Sequence, residues 1–248
     1  MKKTFFLLSI LFFSTVSLLG CRTEPETAEI EPAEAASDSP TAAAEPQIRP
    51  YVPYTEMKKL WADYTSASLI SDYDVIIRAL SQSEGYDWRL IAAIAYTESQ
   101  FDENITSGAG ARGLMQIMPV VARQFGVPAE EIADPRTNVW LGIELLNYIN
   151  DNMHFNAGTS EHDRLCIVLA AYNCGMGHVQ DARRLARKDG HNPDSWKEVA
   201  RYLKLKFNPE YYMDEAVRHG QFEDSDQTLA FVGKVLRRYD NYCTRAAL

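Results

Sequence analysis

Residues Asp87–Phe101 read DWRLIAAIAYTESQF, and this stretch decides how the rest of the chain is read. Asp87 is placed to cap a helix whose apolar positions recur with a helical period. Ile91, Ile94 and Glu98 stand at i, i+3 and i+7, so a 3.6-residue helix carries the carboxylate on its apolar stripe. Solvated glutamates belong on the opposite face, because burying a lone carboxylate costs several kcal/mol unless it is paired or protonated. An inward glutamate therefore tends toward a raised pKa, which suits a proton donor. Spacing alone equally allows a cap partner or a buried ion pair.

Outward from this helix, the texture from Tyr51 onward is helix after helix, with no period-2 strand and no internal repeat. Tyr73–Glu84 carries Val75, Ile76 and Leu80 and stops at Gly85. Asn104–Arg112 (NITSGAGAR) is a loop, Pro119 opens a helix and Gly126 closes it. Thr137–Asn150 presents Val139, Ile143, Leu146 and Ile149 on one stripe. Arg164–Tyr172 is strongly apolar, and His178–Lys188 is polar and closed by Gly190. Asp194 is placed to cap Trp196–Leu203, and a last helix runs from Ser225 to Tyr242. Short connections throughout imply one all-α globular domain over residues 51–248.

What precedes that domain has a different composition. Lys2 and Lys3 lead into the apolar run Phe5–Leu19, which is too short for a comfortable span of roughly 20 residues. Residues 1–20 therefore read as a signal peptide, and Leu18-Leu19-Gly20-Cys21 resembles a bacterial lipobox with Cys21 as the lipidated residue. The acyl chains on that residue would give stable anchoring, at about 0.8 kcal/mol per buried methylene. Arg22 follows Cys21, not the aspartate associated with inner-membrane retention in enteric bacteria, so the expected location is the outer membrane, facing the periplasm. Residues 21–50 are rich in Ala, Glu, Pro, Ser and Thr and cannot bury enough apolar surface to offset ordering entropy. They read as a flexible tether, spanning on the order of 30 Å on average and about 90 Å when extended.

Charge and cysteine content narrow the partners. Without Lys2 and Lys3, 23 Lys+Arg face 34 Asp+Glu, a formal charge of −11. That balance argues against nucleic acid or an anionic membrane surface as a partner, and leaves a neutral or glycan substrate open. Besides Cys21 there are Cys166, Cys174 and Cys243. The first two sit near opposite ends of one expected helix, so Cys243 is the better partner for either, and three unbridged buried thiols are an equal alternative. There is no CxxC, no HExxH and no clustering of the five histidines, so neither a metal nor another cofactor is expected.

Three short stretches stand out together: Glu98-Ser99, Gly113-Leu114-Met115-Gln116 after the glycine-rich loop, and Ala171-Tyr172-Asn173 followed by Gly175 and Gly177. Singly they read as turn glycines, a helix-end cap or a core aromatic. Jointly they supply a buried acid, an approachable loop backbone, an amide and a phenol, which are the groups a sugar polymer requires.

The ordered motifs TESQF, SGAGARGLMQIMP and AAYNCGMGHV resemble the catalytic domain of the family 1 lytic transglycosylases, the soluble-type group with a lysozyme-like fold. The continuation GHVQDAR and the RYLKLK and YY stretch are most similar to the membrane-bound F-type enzymes, over roughly Tyr73–Tyr242. Those enzymes carry an additional amino-terminal substrate-binding-protein-like module; only the tether occupies that place here. The resemblance implies that Glu98 protonates the glycosidic oxygen between N-acetylmuramic acid and N-acetylglucosamine in peptidoglycan glycan strands. The same carboxylate would then take the C6 hydroxyl proton, closing a 1,6-anhydro ring. Ordinary glycosidases use two carboxylates. The two acids beside the motifs, Asp102 and Glu103, read as loop charges, so a single-carboxylate route with help from the substrate N-acetyl group fits better.

By the same resemblance, Gln116 and the Met115 backbone contact an N-acetyl group or sugar, Ser107 is a polar contact, and Tyr172 and Asn173 orient Glu98 or the sugar. The alternatives are a loop anchor for Gln116, a core aromatic for Tyr172 and a helix cap for Asn173. One departure stands out: many relatives have a Tyr-Val pair near the last helix, where this chain has Phe231-Val232. Any hydrogen bond from that hydroxyl is lost; either another group such as Tyr172 compensates, or the correspondence of this stretch is shifted. A monomer is expected, and the competing functions are a lysozyme-type muramidase and a non-catalytic peptidoglycan-binding lipoprotein.

Overall fold

A computed structural model describes residues 70–246, with side chains to Thr244. The expected signal peptide, Cys21, the tether and the first residues of the folded part (51–69) lie outside the described residues. Among the described residues nine α-helices follow one another: α1 Asp74–Ser83, α2 Trp88–Ser99, α3 Pro119–Gln124, α4 Pro135–Asn152, α5 Glu161–Cys174, α6 Met176–Lys188, α7 Trp196–Leu205, α8 Pro209–Tyr212 and α9 Ser225–Ala246. A 3-10 turn, Ala129–Glu131, precedes α4. Among the described residues the only β-type pairing is in the loop before α3, as isolated bridges Thr106–Arg112 and Arg112–Ile117. The fold is all-α, as the helical periodicity requires.

Helix α2 lies at the centre, packed by α1 and most extensively by α9, while α5 packs against α4, α6 and α9. Ile91 through Ala95 are all fully buried, so α2 is enclosed on every side in its middle, not striped. The three alanines at 92, 93 and 95 let neighbours approach closely at little cost in helix propensity. Asp87 caps α2 by accepting from Arg89 N at 2.9 Å, and its other oxygen accepts from Tyr239 Oη of α9 at 2.8 Å. One carboxylate thus fixes both the start of α2 and its register against α9.

Three buried polar groups hold the connections. Asn138 of α4 donates to the carbonyls of Arg112 and Ile132, each at 2.8 Å, and accepts from Met115 N at 2.7 Å. Two glycines make this docking possible. A Cβ on Gly113 (φ +73°) would meet Asn138 at 2.6 Å, and one on Gly142 would meet Met115 at 2.4 Å. Asp181 of α6 accepts from Lys206 Nζ at 2.7 Å, from the backbone N–H groups of Arg218 and His219 at 2.9 Å each, and from Arg184. Burial works to raise the Asp181 pKa, but this set of donors outweighs it and holds the carboxyl below its ordinary value. The hub draws the segment after α7 back onto α6.

The third group corrects the expectation for Asp194. It does not cap α7, whose N-cap is Ser195 with no side-chain bond. Asp194 instead turns inward to Arg183, and accepts from Asn156 N and Nδ2 at 2.9 and 2.7 Å. The first N–H of α7 goes to Asp163 of α5 at 2.8 Å. An Asp beside a helix start satisfies the capping pattern in either arrangement; the buried guanidinium is the stronger partner. Cys166, Cys174 and Cys243 are all unbridged.

Removing Lys206 leaves a buried carboxylate with fewer donors, so Lys206→Met should lower the unfolding free energy by about 3 kcal/mol, since Arg184 and two N–H groups remain. The exposed pair Lys204–Asp226, at 2.8 Å, gives the internal control: Lys204→Met should cost less than about 1 kcal/mol. Urea unfolding of both variants measures the difference, and equal losses would contradict the role given to Asp181.

Candidate active site

The end of α2, the loop 104–118, the end of α5 and the start of α9 surround one cavity of about 200 Å³. Glu98, Ser107, Gln116, Tyr172 and Asn173 all line it. Met115 does not; it is fully buried behind the wall, its N–H bonded to Asn138 and its carbonyl accepting from Tyr172 Oη at 2.8 Å.

Glu98 is 7% exposed and forms no hydrogen bond or ion pair with any described residue. Burial pushes its carboxyl up to about 8, and nothing opposes that shift. At neutral pH the group is therefore mostly protonated, with its proton available to whatever occupies the cavity. Just beyond it the backbone turns sharply: Gln100 (φ 57°) and Phe101 (φ 66°) are both left-handed without being glycine. Ser99 braces the turn, donating to Ala95 O at 3.0 Å and accepting from Phe101 N at 3.1 Å. Gln116 (φ 49°), in the cavity wall, is the other left-handed non-glycine among the described residues. Such positions cost of order 1–3 kcal/mol each and persist where surrounding packing over-determines them. All three flank the acid.

The remaining walls are set by specific bonds. Gln116 Nε2 donates to Gly113 O at 3.0 Å and Ile105 O at 3.3 Å, so its amide anchors the loop and leaves the carbonyl end for a ligand. Ser107 Oγ accepts from Ala111 N at 3.0 Å, closing the glycine-containing turn. Asn173 is not a helix cap: its Oδ1 accepts from Thr228 Oγ1 of α9 at 2.9 Å, tying α5 to α9 at the cavity edge.

Tyr172 stacks on Phe231, with rings parallel within 6° and 6.5 Å between centroids. Its phenol stays protonated, because burial and then the nearby Glu98 charge raise its pKa, and that proton goes to the Met115 carbonyl. Phe231 contributes a ring and no hydroxyl, so neither aromatic donates to Glu98. Cys174 also lines the cavity, but burial pushes its thiol to about 12, which rules out a resident thiolate at neutral pH.

Sequence reading did not identify Asn138, Tyr148, Asp224, Gln227 or Thr228, of which the last four line the cavity. Asp224 stands directly before the α9 start, where an acid reads as a cap. Its backbone carbonyl takes the Thr228 N–H at 3.0 Å while its side chain is half-exposed at the cavity. The two acids that sequence did single out are elsewhere: Glu103 accepts from Tyr73 Oη at 2.9 Å and neither it nor Asp102 lines the cavity. Among the described residues no group of three or more His, Cys, Asp or Glu side chains is arranged to hold a metal ion.

Residues 75–194 match the model of the family described as Transglycosylase SLT domain. The chain is 36% identical over 168 residues to the membrane-bound lytic murein transglycosylase F of Pseudomonas fluorescens, covering 68% of this chain and 33% of that protein. To the protein of the same name from Alcanivorax borkumensis it is 32% identical over 211 residues, covering 84% of this chain and 43% of the relative. It thus spans well under half the length of these relatives. Among solved structures, the 70 kDa soluble lytic transglycosylase of Escherichia coli aligns at a TM-score of 0.47 and 23% identity, over 68% of this chain and 24% of that one.

The raised carboxyl makes a stability prediction whose sign is fixed. Below about pH 4.5 Glu98 is protonated in both folded and unfolded chains and contributes nothing. Between there and about pH 8 the unfolded chain releases the proton and the native one keeps it, so native stability falls as pH rises. Glu98→Gln should therefore be neutral near pH 4 and stabilising near pH 8, by up to about 4 kcal/mol at 1.36 kcal/mol per unit. Thermal unfolding of both proteins across this range checks it; a pH-independent difference would refute the buried, unpartnered acid.

Proposed function

The chain belongs to the Transglycosylase SLT domain family, and from that premise we propose that it is a lytic transglycosylase that cleaves the N-acetylmuramic acid–N-acetylglucosamine bond of peptidoglycan. The observation that carries this reading is Glu98: a mostly protonated carboxyl, without a protein partner, in the wall of a cavity that also presents amide and hydroxyl side chains. Such a group is poised to donate a proton to a leaving oxygen.

In the proposed reaction Glu98 protonates the glycosidic oxygen as the bond to C1 of the muramic acid breaks. The developing positive charge is stabilised by the substrate's own N-acetyl group. Glu98, now a carboxylate, takes the proton of the C6 hydroxyl while that oxygen bonds to C1. The ring closes, the acid is regenerated, and no water is consumed. A carboxylate left in an apolar wall recovers a proton readily, which favours the second half of the cycle. Gln116 through its amide carbonyl, Ser107 through its hydroxyl and Asn173 are proposed to engage the sugar. The Met115 carbonyl, buried behind the wall, does not reach the cavity and serves as the acceptor for Tyr172. Tyr172, braced on Phe231, shapes the wall and holds that carbonyl in place.

We place the enzyme in the cell envelope, anchored through lipidated Cys21 in the outer membrane, with residues 21–50 as the tether. The relatives' printed name, membrane-bound, supports attachment to a membrane. A second reading, hydrolysis by a muramidase, draws support from Asp224, a further carboxyl at the same cavity that could activate water.

Digestion of purified sacculi followed by mass analysis separates the two. Fragments one water lighter than reducing muropeptides are expected; reducing ends, lost in Asp224→Asn, would convert the reading to hydrolysis. Glu98→Gln should lower turnover by at least about a hundredfold while retaining glycan binding. With the acid form required, kcat/KM should fall as pH rises through about 8. Full activity in Glu98→Gln would overturn the assignment.

A further inference from the structure

Helix α9 meets α5 at the cavity through two neighbouring residues of α5. Phe231 stacks on Tyr172, and Thr228, one turn earlier on α9, donates from Oγ1 to Asn173 Oδ1 at 2.9 Å. Positions three apart share a helix face, so one face of α9 sets both side chains. The second contact has a direction. Thr228 is 1% exposed, and a buried hydroxyl must place its proton on an acceptor. Asn173 Oδ1 takes it. Turned over, the amide would leave that proton to the neighbouring Cys174 sulfur, a weak acceptor in a thiol that burial pushes to about 12. The carbonyl end of Asn173 is therefore spent inside the protein.

The amino end is not. Asn173 Nδ2 has no acceptor among the described residues and is not sealed from solvent. Asn173 lines the cavity, so these two N–H groups are open to an occupant. Gln116 is held the opposite way: its Nε2 is taken by Gly113 O and Ile105 O, and its carbonyl oxygen is the free end. Two amides that could each donate or accept are thus reduced to one donor and one acceptor. An asparagine free to turn would match either polarity of ligand and discriminate poorly. A fixed one rejects the wrong polarity, because a mismatched ligand leaves a polar group unpaired.

Resting on the proposed reaction, we infer that Thr228 is a positioning residue that fixes the hydrogen-bonding sense of Asn173, so that α5 offers the sugar donors only, aimed at one of its oxygens. Thr228 acts through the amide, since its own proton is committed to Asn173. The same face of α9 that braces Tyr172 through Phe231 thereby also sets the polarity of the cavity wall.

The test uses Glu98→Gln in the full chain, with solubilised peptidoglycan strands as the probe, so that binding is measured without turnover; thermal unfolding is followed for every variant. Thr228→Val keeps the branched shape and removes the hydroxyl. It should weaken binding about fivefold, the loss expected for one neutral hydrogen bond. Thr228→Ser should restore most of that affinity. Asn173→Asp keeps an oxygen for Thr228 but removes the donors, and should lose at least as much as Thr228→Val. With Asn173→Ala in place, Thr228→Val should cost nothing further, because its effect runs through the amide. Unchanged affinity in Thr228→Val, no recovery in Thr228→Ser, full affinity in Asn173→Asp, losses that add in the double variant, or no measurable binding by the Glu98→Gln protein would each overturn the inference. A lower unfolding temperature with unchanged affinity would also overturn it, leaving Thr228 as a structural tie between α5 and α9. Because no cleavage is involved, a failure of the transglycosylase reading shows up separately, in the products from sacculi.

Discussion

A carboxyl group buried at the end of a central helix, with no donor aimed at it, holds its proton because burial disfavours the charged form. The site depends on keeping Glu98 in that condition. Neighbouring groups that could relieve it are directed elsewhere. The Tyr172 hydroxyl is drawn to the Met115 carbonyl. Phe231 offers only a ring. The Gln116 amide N–H groups point to the backbone of their own loop. One well-placed hydrogen bond to the ionised form would lower its proton affinity and weaken it as an acid, so the absence of a donor is part of the design and not a gap in it.

Keeping the acid buried and without a donor requires stiff surroundings, and these are held largely by buried polar groups some way from the acid. Asn138 fixes the loop that carries Gln116 through three bonds to backbone, and Gly113 and Gly142 give it room. Asp181 gathers Lys206, Arg184 and two backbone N–H groups, which brings the segment containing Phe222 to the opposite wall. Each cluster is a liability if one member is lost and a rigid joint while complete. The left-handed backbone at Gln100, Phe101 and Gln116 is the counterpart of that rigidity, since strain persists only where packing leaves the chain no alternative.

Legibility in the sequence followed the range of the interactions. The helical fold, the Asp87 cap and the inward Glu98 depend on neighbours within a few turns, so period and spacing revealed them. The grouping of Ser107, Gln116, Tyr172 and Asn173 around the acid became visible through a resemblance in ordered motifs, and the fold places all of them on one cavity. Asp194 shows where local reading fails: a cap and a long-range ion pair look alike until Arg183 and Asn156 are known to be near. Asn138 was hidden beside an apolar stripe, and Asp224 behind a helix start, because their partners are set by tertiary packing. Met115 was read through its backbone as a substrate contact, yet it lies buried behind the wall, its N–H bonded to Asn138 and its carbonyl to Tyr172.

Whether the cleaved sugar closes on itself or meets water turns on which nucleophile is deprotonated at the right face. Ring closure needs one group that can surrender a proton and then recover it within the same turnover, and a carboxyl whose pKa stands near 8 does both close to neutral pH. Retaining hydrolysis cycles the acid in the same way and differs in needing a second carboxylate at the anomeric carbon. Asp224 lines the cavity, but it stands at the start of α9, on a different element from the acid. Glu98 has no comparable freedom: it is locked in the buried end of α2 and has the proton affinity that a two-way transfer requires. The proposed ring closure and its hydrolytic alternative therefore differ in whether a second carboxyl reaches the anomeric carbon, and Asp224 on α9 is the cavity carboxyl on which that difference turns.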